Sequence, residues 1–230
     1  MLKKRESTDL GEKWRLWLST NKNSKLALGI SIECILVQNT NWGNVEATKR
    51  KIEEFRTKNL DQLDFYDIRW WEEIEIETLK ELIRPSGFHN QKSVYIKELI
   101  MRWPQIVKTP NLETRRKLLK SVKGIGNESA DSILVYVFDE ASFIIDNYTK
   151  RILTRAENME AKTLTGNYMI WKNWLEKNVP ESKSLIDDYK WLHAYFIHIG
   201  RNYCLKTKPK CNNCEINRTC DFYLSTVVRE

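Results

Sequence analysis

The chain has 230 residues, of which 41% are hydrophobic and 11% aromatic, a composition that indicates a folded globular protein and excludes a disordered one. Lysine and arginine outnumber aspartate and glutamate by 38 to 31, and the resulting charge of +7 favours a polyanionic partner such as nucleic acid over a membrane. No apolar run could span a bilayer or serve as a secretory signal, so we expect a cytoplasmic protein with reduced thiols and no membrane partner.

Helical periodicity recurs along the chain and strict two-residue alternation is scarce, so the sequence predicts an all-α fold. Residues 26–37 are apolar almost all round, which predicts a buried central helix with Cys34 as an inert core thiol. A polar run at 38–41 ends that helix. Further helices are predicted at 45–55, 76–83, 91–103, 112–121, 130–138, 149–157, 168–177 and 185–201.

Four of the five cysteines lie in an aperiodic tail that cannot bury enough apolar surface to order itself. Cys204, Cys211, Cys214 and Cys220 follow the spacing C-x6-C-x2-C-x5-C, with no histidine among them. Four soft thiolates suit either one tetrahedral metal ion or an iron–sulfur cluster. Zinc is the simpler alternative, although four-cysteine zinc sites usually pair two short knuckles and only one is present here.

A glycine-containing turn separates two helical patterns at Lys123-Gly124-Ile125-Gly126-Asn127. Two glycines around one aliphatic residue allow the backbone to turn sharply and to approach another chain closely. Because a helix is predicted to begin directly after Gly126, its first N–H groups could bind a phosphate oxygen. A plain helix–helix turn is the alternative interpretation.

In its full context, 118–134, this turn resembles the hairpin of the helix-hairpin-helix DNA glycosylase superfamily. The cysteine spacing, with Gly200-Arg201-Asn202-Tyr203 before Cys204, is similar to the loop by which endonuclease III and its relatives bind a four-iron, four-sulfur cluster. The resemblance implies a [4Fe-4S] cofactor and a monomer that binds double-stranded DNA containing a damaged base. It also implies two all-α lobes with DNA across the cleft: a helical barrel at 25–140, with the hairpin motif at about 112–138, and a cluster lobe at 1–24 and 141–230, with its loop at 204–220.

The same resemblance assigns catalysis to Asp146, which follows the apolar run 143–145 and precedes a predicted helix. A carboxylate can stabilise the positive charge that develops on deoxyribose as the base leaves, and it can orient the attacking water. The target base must first leave the duplex. A helix N-cap is the alternative role for Asp146.

Three segments, 38–42, 84–92 and 124–134, are most similar to the third class of 3-methyladenine DNA glycosylase. This similarity implies that Gln38 fills the space left by the flipped nucleotide, with a polar helix cap as the alternative. Because aromatic faces attract a cationic base, we place Trp42 and Tyr148 in the base pocket, with a role in the core as the alternative for each. Glu128 either lines that pocket or is an acidic residue favoured at a helix N-terminus. Bifunctional relatives carry a nucleophilic lysine at the position of Glu128, so we expect a monofunctional enzyme.

Two alternatives stay open at this stage. The aromatic N-terminal motif of that glycosylase class is replaced by the polar residues 19–24, so mismatched uracil or thymine, or another lesion, could be the substrate instead. A non-catalytic DNA-binding protein with a purely structural cluster is the alternative from a different functional class.

Overall fold

The computed structural model describes residues 10, 13–19, 23–59, 65, 67–157, 167–179 and 184–227. This part of the chain is helical and contains no strand, which confirms the all-α prediction. Its α-helices are α1 (Lys13–Leu18), α2 (Ser24–Leu36), α3 (Trp42–Lys58), α4 (Ile68–Glu73), α5 (Ile76–Leu82), α6 (His89–Lys108), α7 (Leu112–Ser121), α8 (Asn127–Val137), α9 (Asn147–Ala156), α10 (Tyr168–Asn178) and α11 (Leu185–Asn202). Short 3-10 turns occur at Arg84–Ser86, Cys211–Asn213 and Asn217–Thr219, and a π-helical turn at Tyr223–Val227.

The chain divides into two compact units, one formed within Ser19–Glu140 and the other within Met1–Leu18 and Ala141–Glu230. In the first unit α2 is the central helix and packs against α6 and α8. Side chains on all sides of α2, including Leu28, Ile32 and Ile35, are buried. The prediction of a fully buried central helix is therefore confirmed, and burial raises the pKa of its Cys34 thiol.

The second unit is built around α11, which packs against α9 and α1. Its buried face is largely aromatic, with Trp191 stacked on Tyr195 at a centroid distance of 4.6 Å. Phe143, from the segment that precedes α9, meets the ring of Tyr189 edge-on at 5.1 Å. Indole and phenol rings thus supply most of the bulk of this core, which accounts for part of the chain's high tryptophan content.

The structure also shows where the sequence prediction was incomplete. The six-residue helix α4 was not predicted, because fewer than two turns give too few residues for periodicity to register. Helix α3 begins at Trp42, earlier than expected, because the side chain of Asn41 caps it by accepting the Asn44 N–H. Helix α6 continues past Pro104 to Lys108.

Among the described helices, none combines the length and the apolar character that crossing a bilayer requires.

Candidate functional site

The predicted hairpin joins α7 to α8 and depends on a glycine at position 124. Gly124 has a φ of +82°, a backbone conformation that other residues rarely adopt. The ring of Tyr95 lies against it, so a Cβ added there would be 2.1 Å from a Tyr95 ring carbon. Gly126 has ordinary backbone angles, and no atom lies within 4 Å of the place its Cβ would occupy. Only the first of the two glycines is therefore required by conformation and packing.

A buried ion pair holds the two helices of the hairpin together. Arg116 of α7 donates from Nε to Oδ1 of Asp131 at 2.7 Å and from Nη2 to Oδ2 of the same carboxylate at 3.1 Å. The same Nη2 also donates to the side-chain oxygen of Asn127 at 3.0 Å. The Asp131 side chain is completely buried, so this bidentate pairing compensates for its lost hydration.

The hairpin residues predicted to bind DNA differ in what they expose. Lys123, Gly124 and Gly126 are exposed and Asn127 is half-buried. Ile125 is only 4% exposed and its N–H donates to the carbonyl of Val122, so its side chain packs inside the turn. Contact between DNA and the backbone of Ile125 stays a prediction, as it does for the other hairpin residues.

Gln38, predicted to replace a flipped nucleotide, contacts the hairpin in this structure. Its Nε2 donates to the carbonyl oxygen of Gly124 at 3.0 Å and to Oγ of Ser129 at 2.9 Å. It is half-buried and does not cap α2. Any insertion into DNA would require Gln38 to release both of these hydrogen bonds.

The three predicted base-pocket residues lie in different settings. Trp42 is the first residue of α3 and is half-buried, and Glu128 is exposed in the first turn of α8. Tyr148 is half-buried, with its ring against Gly200 and the guanidinium of Arg151 5.1 Å from its centroid. A Cβ at position 200 would come within 2.3 Å of that ring. Tyr148 therefore has a packing role in its own unit, while its contact with a base stays a prediction.

Side chains of α10 hold the extended segment that leads to Asp146. Glu176 accepts the Phe143 N–H at 2.8 Å, and the Tyr168 hydroxyl accepts the Ile145 N–H at 3.3 Å. Lys172 donates to the Ser142 hydroxyl at 2.9 Å and to the Phe143 carbonyl at 3.2 Å. These hydrogen bonds satisfy buried backbone N–H and carbonyl groups that would otherwise need a neighbouring strand. They therefore fix the position of Asp146, the next residue.

Asp146 caps α9, as its alternative interpretation predicted, and also faces a histidine. Its Oδ1 accepts the Thr149 N–H at 2.6 Å, while Oδ2 lies 3.7 Å from Nε2 of His193 on α11. Burial acts to raise the pKa of the Asp146 carboxyl, but the neighbouring imidazole of His193 and the hydrogen bonding from Thr149 outweigh it and lower the pKa. The carboxyl is therefore kept as an anion at a buried position.

The four predicted metal-ligating cysteines line one pocket, together with Tyr203, Ile216 and Arg155 among others. Within the described residues, no three His, Cys, Asp or Glu side chains converge closely enough to hold a single metal ion. Four thiolates are the ligands that an iron–sulfur cluster takes, so the donor set fits such a cluster, and it also fits a four-cysteine zinc site.

Two arginines of α9 contact the cysteine loop. Arg151 donates to the carbonyl oxygens of Cys204 and Gly200 at 2.7 and 2.9 Å. Arg155, one turn later, donates to Sγ of Cys204 at 3.2 Å and to the carbonyl of Leu205 at 2.8 Å. Neither these arginines nor His193 was identified from the sequence. The two arginines are spaced by one helical turn, which indicates a shared face of α9, but this spacing does not predict partners about fifty residues away.

Known proteins that resemble this chain agree with the site geometry described above. The family described as HhH-GPD superfamily base excision DNA repair protein matches residues 32–181. A Methanocaldococcus jannaschii protein provisionally named a DNA repair glycosylase is 35% identical over 206 residues, which cover 83% of this chain and 84% of that protein.

Two solved structures are similar as well. The structure of H. pylori 3-methyladenine DNA glycosylase bound to 1,N6-ethenoadenine matches with a TM-score of 0.65 and 25% identity, covering 87% of this chain and 95% of that one. Endonuclease III trapped as a covalent intermediate with DNA matches with a TM-score of 0.67 over 91% of this chain and 89% of that one. At 17% identity, the second likeness concerns the fold alone.

Proposed function

Because the chain belongs to the HhH-GPD superfamily of base excision DNA repair proteins and is a DNA repair glycosylase of that family, we propose that it is monofunctional and excises an alkylated purine such as 3-methyladenine. The observation that carries this proposal is the buried carboxylate of Asp146. One of its oxygens caps α9 and the other, Oδ2, is not engaged by that cap. A fixed anion of this kind is what the cleavage of an N-glycosidic bond needs.

In the proposed reaction Asp146 acts on the sugar and on water. As the bond between C1′ and the base nitrogen breaks, the electron pair leaves with the base and positive charge develops on the deoxyribose. The carboxylate stabilises that charge and orients a water molecule, which adds to C1′ and transfers a proton to the same carboxylate. An alkylated purine is already cationic, so it departs as a neutral base and needs no strong acid catalyst.

The substrate class is supported by the aromatic residues predicted for base recognition. Trp42 and Tyr148 are both half-buried, so part of each ring is accessible, and aromatic faces attract a cationic base. The H. pylori relative is named for 3-methyladenine and was solved with a modified adenine bound. Both facts favour a damaged purine over a mismatched pyrimidine.

The monofunctional assignment depends on Glu128. Its carboxylate is exposed in the first turn of α8, where bifunctional relatives were expected to carry a nucleophilic lysine. A carboxylate cannot form a Schiff base with the sugar. It is also favoured electrostatically at a helix N-terminus, which gives it a role in the fold without covalent chemistry.

The hairpin is the proposed contact with the phosphates of double-stranded DNA. Gly126 is the N-cap of α8 and has no side chain to cap the first amides, so that helix end is open to an anion. Lys123 is exposed beside it and adds positive charge. We propose that Lys123, Gly124, Gly126 and Asn127 bind the phosphate backbone of DNA, and that Gln38 also contacts DNA after releasing its hydrogen bonds to the hairpin. We also propose that the protein acts as a monomer.

Cys204, Cys211, Cys214 and Cys220 would hold the [4Fe-4S] cluster, which would order a loop that has little apolar surface of its own. Arg155 places positive charge beside one of the thiolates. Lys206, Lys208 and Lys210 are exposed on the same loop and extend the basic surface available to DNA.

A panel of duplexes, each with one damaged or mismatched base, tests the function. We expect wild-type protein to release alkylated purines, and Asp146→Asn to lose release by about 100-fold or more while keeping DNA affinity. Asparagine is a good N-cap, so this variant should fold. Release of uracil or thymine alone would overturn the substrate class. DNA binding without release of any base would favour a non-catalytic DNA-binding protein.

A further inference from the structure

The pair formed by Asp146 and His193 joins two elements of the same unit. Asp146 stands at the start of α9 and His193 in the middle of α11, and these two helices pack against each other. The side chains are 10% and 8% exposed, and Oδ2 of the aspartate lies 3.7 Å from Nε2 of the histidine. Two polar groups buried this closely influence each other's charge strongly, because little water screens them.

The two oxygens of the carboxylate are not equivalent. Oδ1 accepts the Thr149 N–H at 2.6 Å, a bond that helix α9 needs at its N-terminus. Oδ2 is therefore the oxygen that can act on a substrate without uncapping the helix. It is also the oxygen that faces His193, so the electrostatic effect of the imidazole acts on the atom that would react.

We propose that His193 is a positioning residue that keeps Oδ2 of Asp146 anionic and oriented for its reaction with the sugar. This inference rests on the proposed glycosylase function. The separation is longer than a hydrogen bond, so His193 acts chiefly through its charge and dipole, and a small rotation of the imidazole would bring the N–H within bonding distance.

Burial without the histidine would work against catalysis. Desolvation raises the pKa of a carboxyl, and a protonated Asp146 could neither stabilise a cationic sugar nor accept a proton from water. The groups that act on Asp146 are His193 from α11 and Thr149 from α9 itself. Thr149 is neutral, whereas the imidazole of His193 places a positive charge beside Oδ2 when it is protonated. Lys190, one turn earlier on α11, is buried in the same unit and is retained in every variant below.

Carboxyl NMR of Asp146 in the full-length protein tests the pair without needing activity. In His193→Leu we expect the pKa of Asp146 to rise by about one unit or more, because burial is then unopposed. His193→Gln keeps an N–H donor without the charge and should give a smaller rise. If the leucine variant fails to fold, as judged by circular dichroism, the glutamine variant carries the measurement. An unchanged Asp146 pKa in a folded variant would overturn the proposal.

Single-turnover kinetics supply the second readout. For His193→Leu we expect the acidic limb of the pH–rate profile for base release to move to higher pH by the same amount as the Asp146 pKa, with DNA affinity unchanged, because the carboxyl must be ionised to act. In an Asp146→Asn background the same change should cost nothing further. A loss that does not depend on pH, or that adds to Asp146→Asn, would overturn the proposal. If the wild-type protein releases no base but the NMR shift is observed, the effect of His193 on Asp146 is supported and the glycosylase function is not.

Discussion

Arg155 donates from Nη1 to Sγ of Cys204 at 3.2 Å, so α9, the helix that Asp146 caps, is bonded directly to the cysteine loop. The same guanidinium lies 5.4 Å from the centroid of the Phe222 ring. Arg151, one turn earlier, adds bonds to the carbonyls of Cys204 and Gly200. The loop and the candidate catalytic carboxylate are therefore attached to one short helix, and disorder in the loop is expected to reach Asp146.

The first prediction concerns the cofactor. Purified protein should be yellow-brown. The Arg155→Gln variant should lose iron more readily than wild type, because a charge-assisted hydrogen bond to a thiolate contributes about 1.5–3 kcal/mol. Iron content and visible absorbance after mild oxidation or chelation measure this. Arg201→Gln is the matched control, since Arg201 is exposed at the end of α11. A colourless, zinc-loaded protein made anaerobically with ample iron would contradict the assignment of the cluster.

The second prediction concerns strand cleavage. Because Glu128 offers no amine, borohydride reduction during the reaction should trap no protein–DNA adduct, and a duplex with an abasic site should stay intact. Endonuclease III, which has been trapped covalently on DNA, is the positive control. A strong adduct at near wild-type protein levels would show that another amine, such as exposed Lys123, acts as the nucleophile.

The third prediction compares the two glycines of the hairpin. Gly124→Ala should lower the free energy of unfolding by about 1–3 kcal/mol, because it strains a residue with positive φ and displaces Tyr95. Gly126→Ala should change it by less than about 0.5 kcal/mol, since its Cβ would meet nothing within 4 Å. Denaturant unfolding measures both values. Equal losses would mean that the backbone at position 124 is less constrained than its angles indicate.

The fourth prediction concerns the ion pair that links α7 to α8. Arg116→Leu removes the bidentate partner of a fully buried carboxylate and should destabilise the protein by about 3–5 kcal/mol. Lys117→Gln, the next residue on the same helix, breaks an exposed pair with Glu113 and should cost under about 1 kcal/mol. Thermal unfolding distinguishes the two variants. If both gave similar small losses, Asp131 would have to be compensated by other groups.

The family and the fold class could be predicted from the sequence, because both depend on local patterns. The apolar run of α2, the glycine turn after α7 and the cysteine spacing each lie within one short segment. The superfamily indicated by those segments and the all-α fold are confirmed. The helix-cap role of Asp146, which was the alternative interpretation of this residue, also depends on a local pattern and is observed in the structure.

The relations around the site could not be predicted, because each joins residues far apart in sequence. His193 faces Asp146 only because α11 packs on α9. Gln38 meets Gly124 because α2 packs against α8. The side chain of Ile125 is buried, as burial of apolar surface favours, while the two glycines beside it are exposed.

The contacts of helix α10 predict a class of mutations that would abolish repair. Lys172, Glu176 and Tyr168 fix the chain just ahead of Asp146, although none of them belongs to the proposed chemistry. A screen for alleles that have lost repair should therefore recover substitutions in α10 that leave the protein abundant and still attached to DNA. Such alleles would look like active-site mutants while lying outside the catalytic residues.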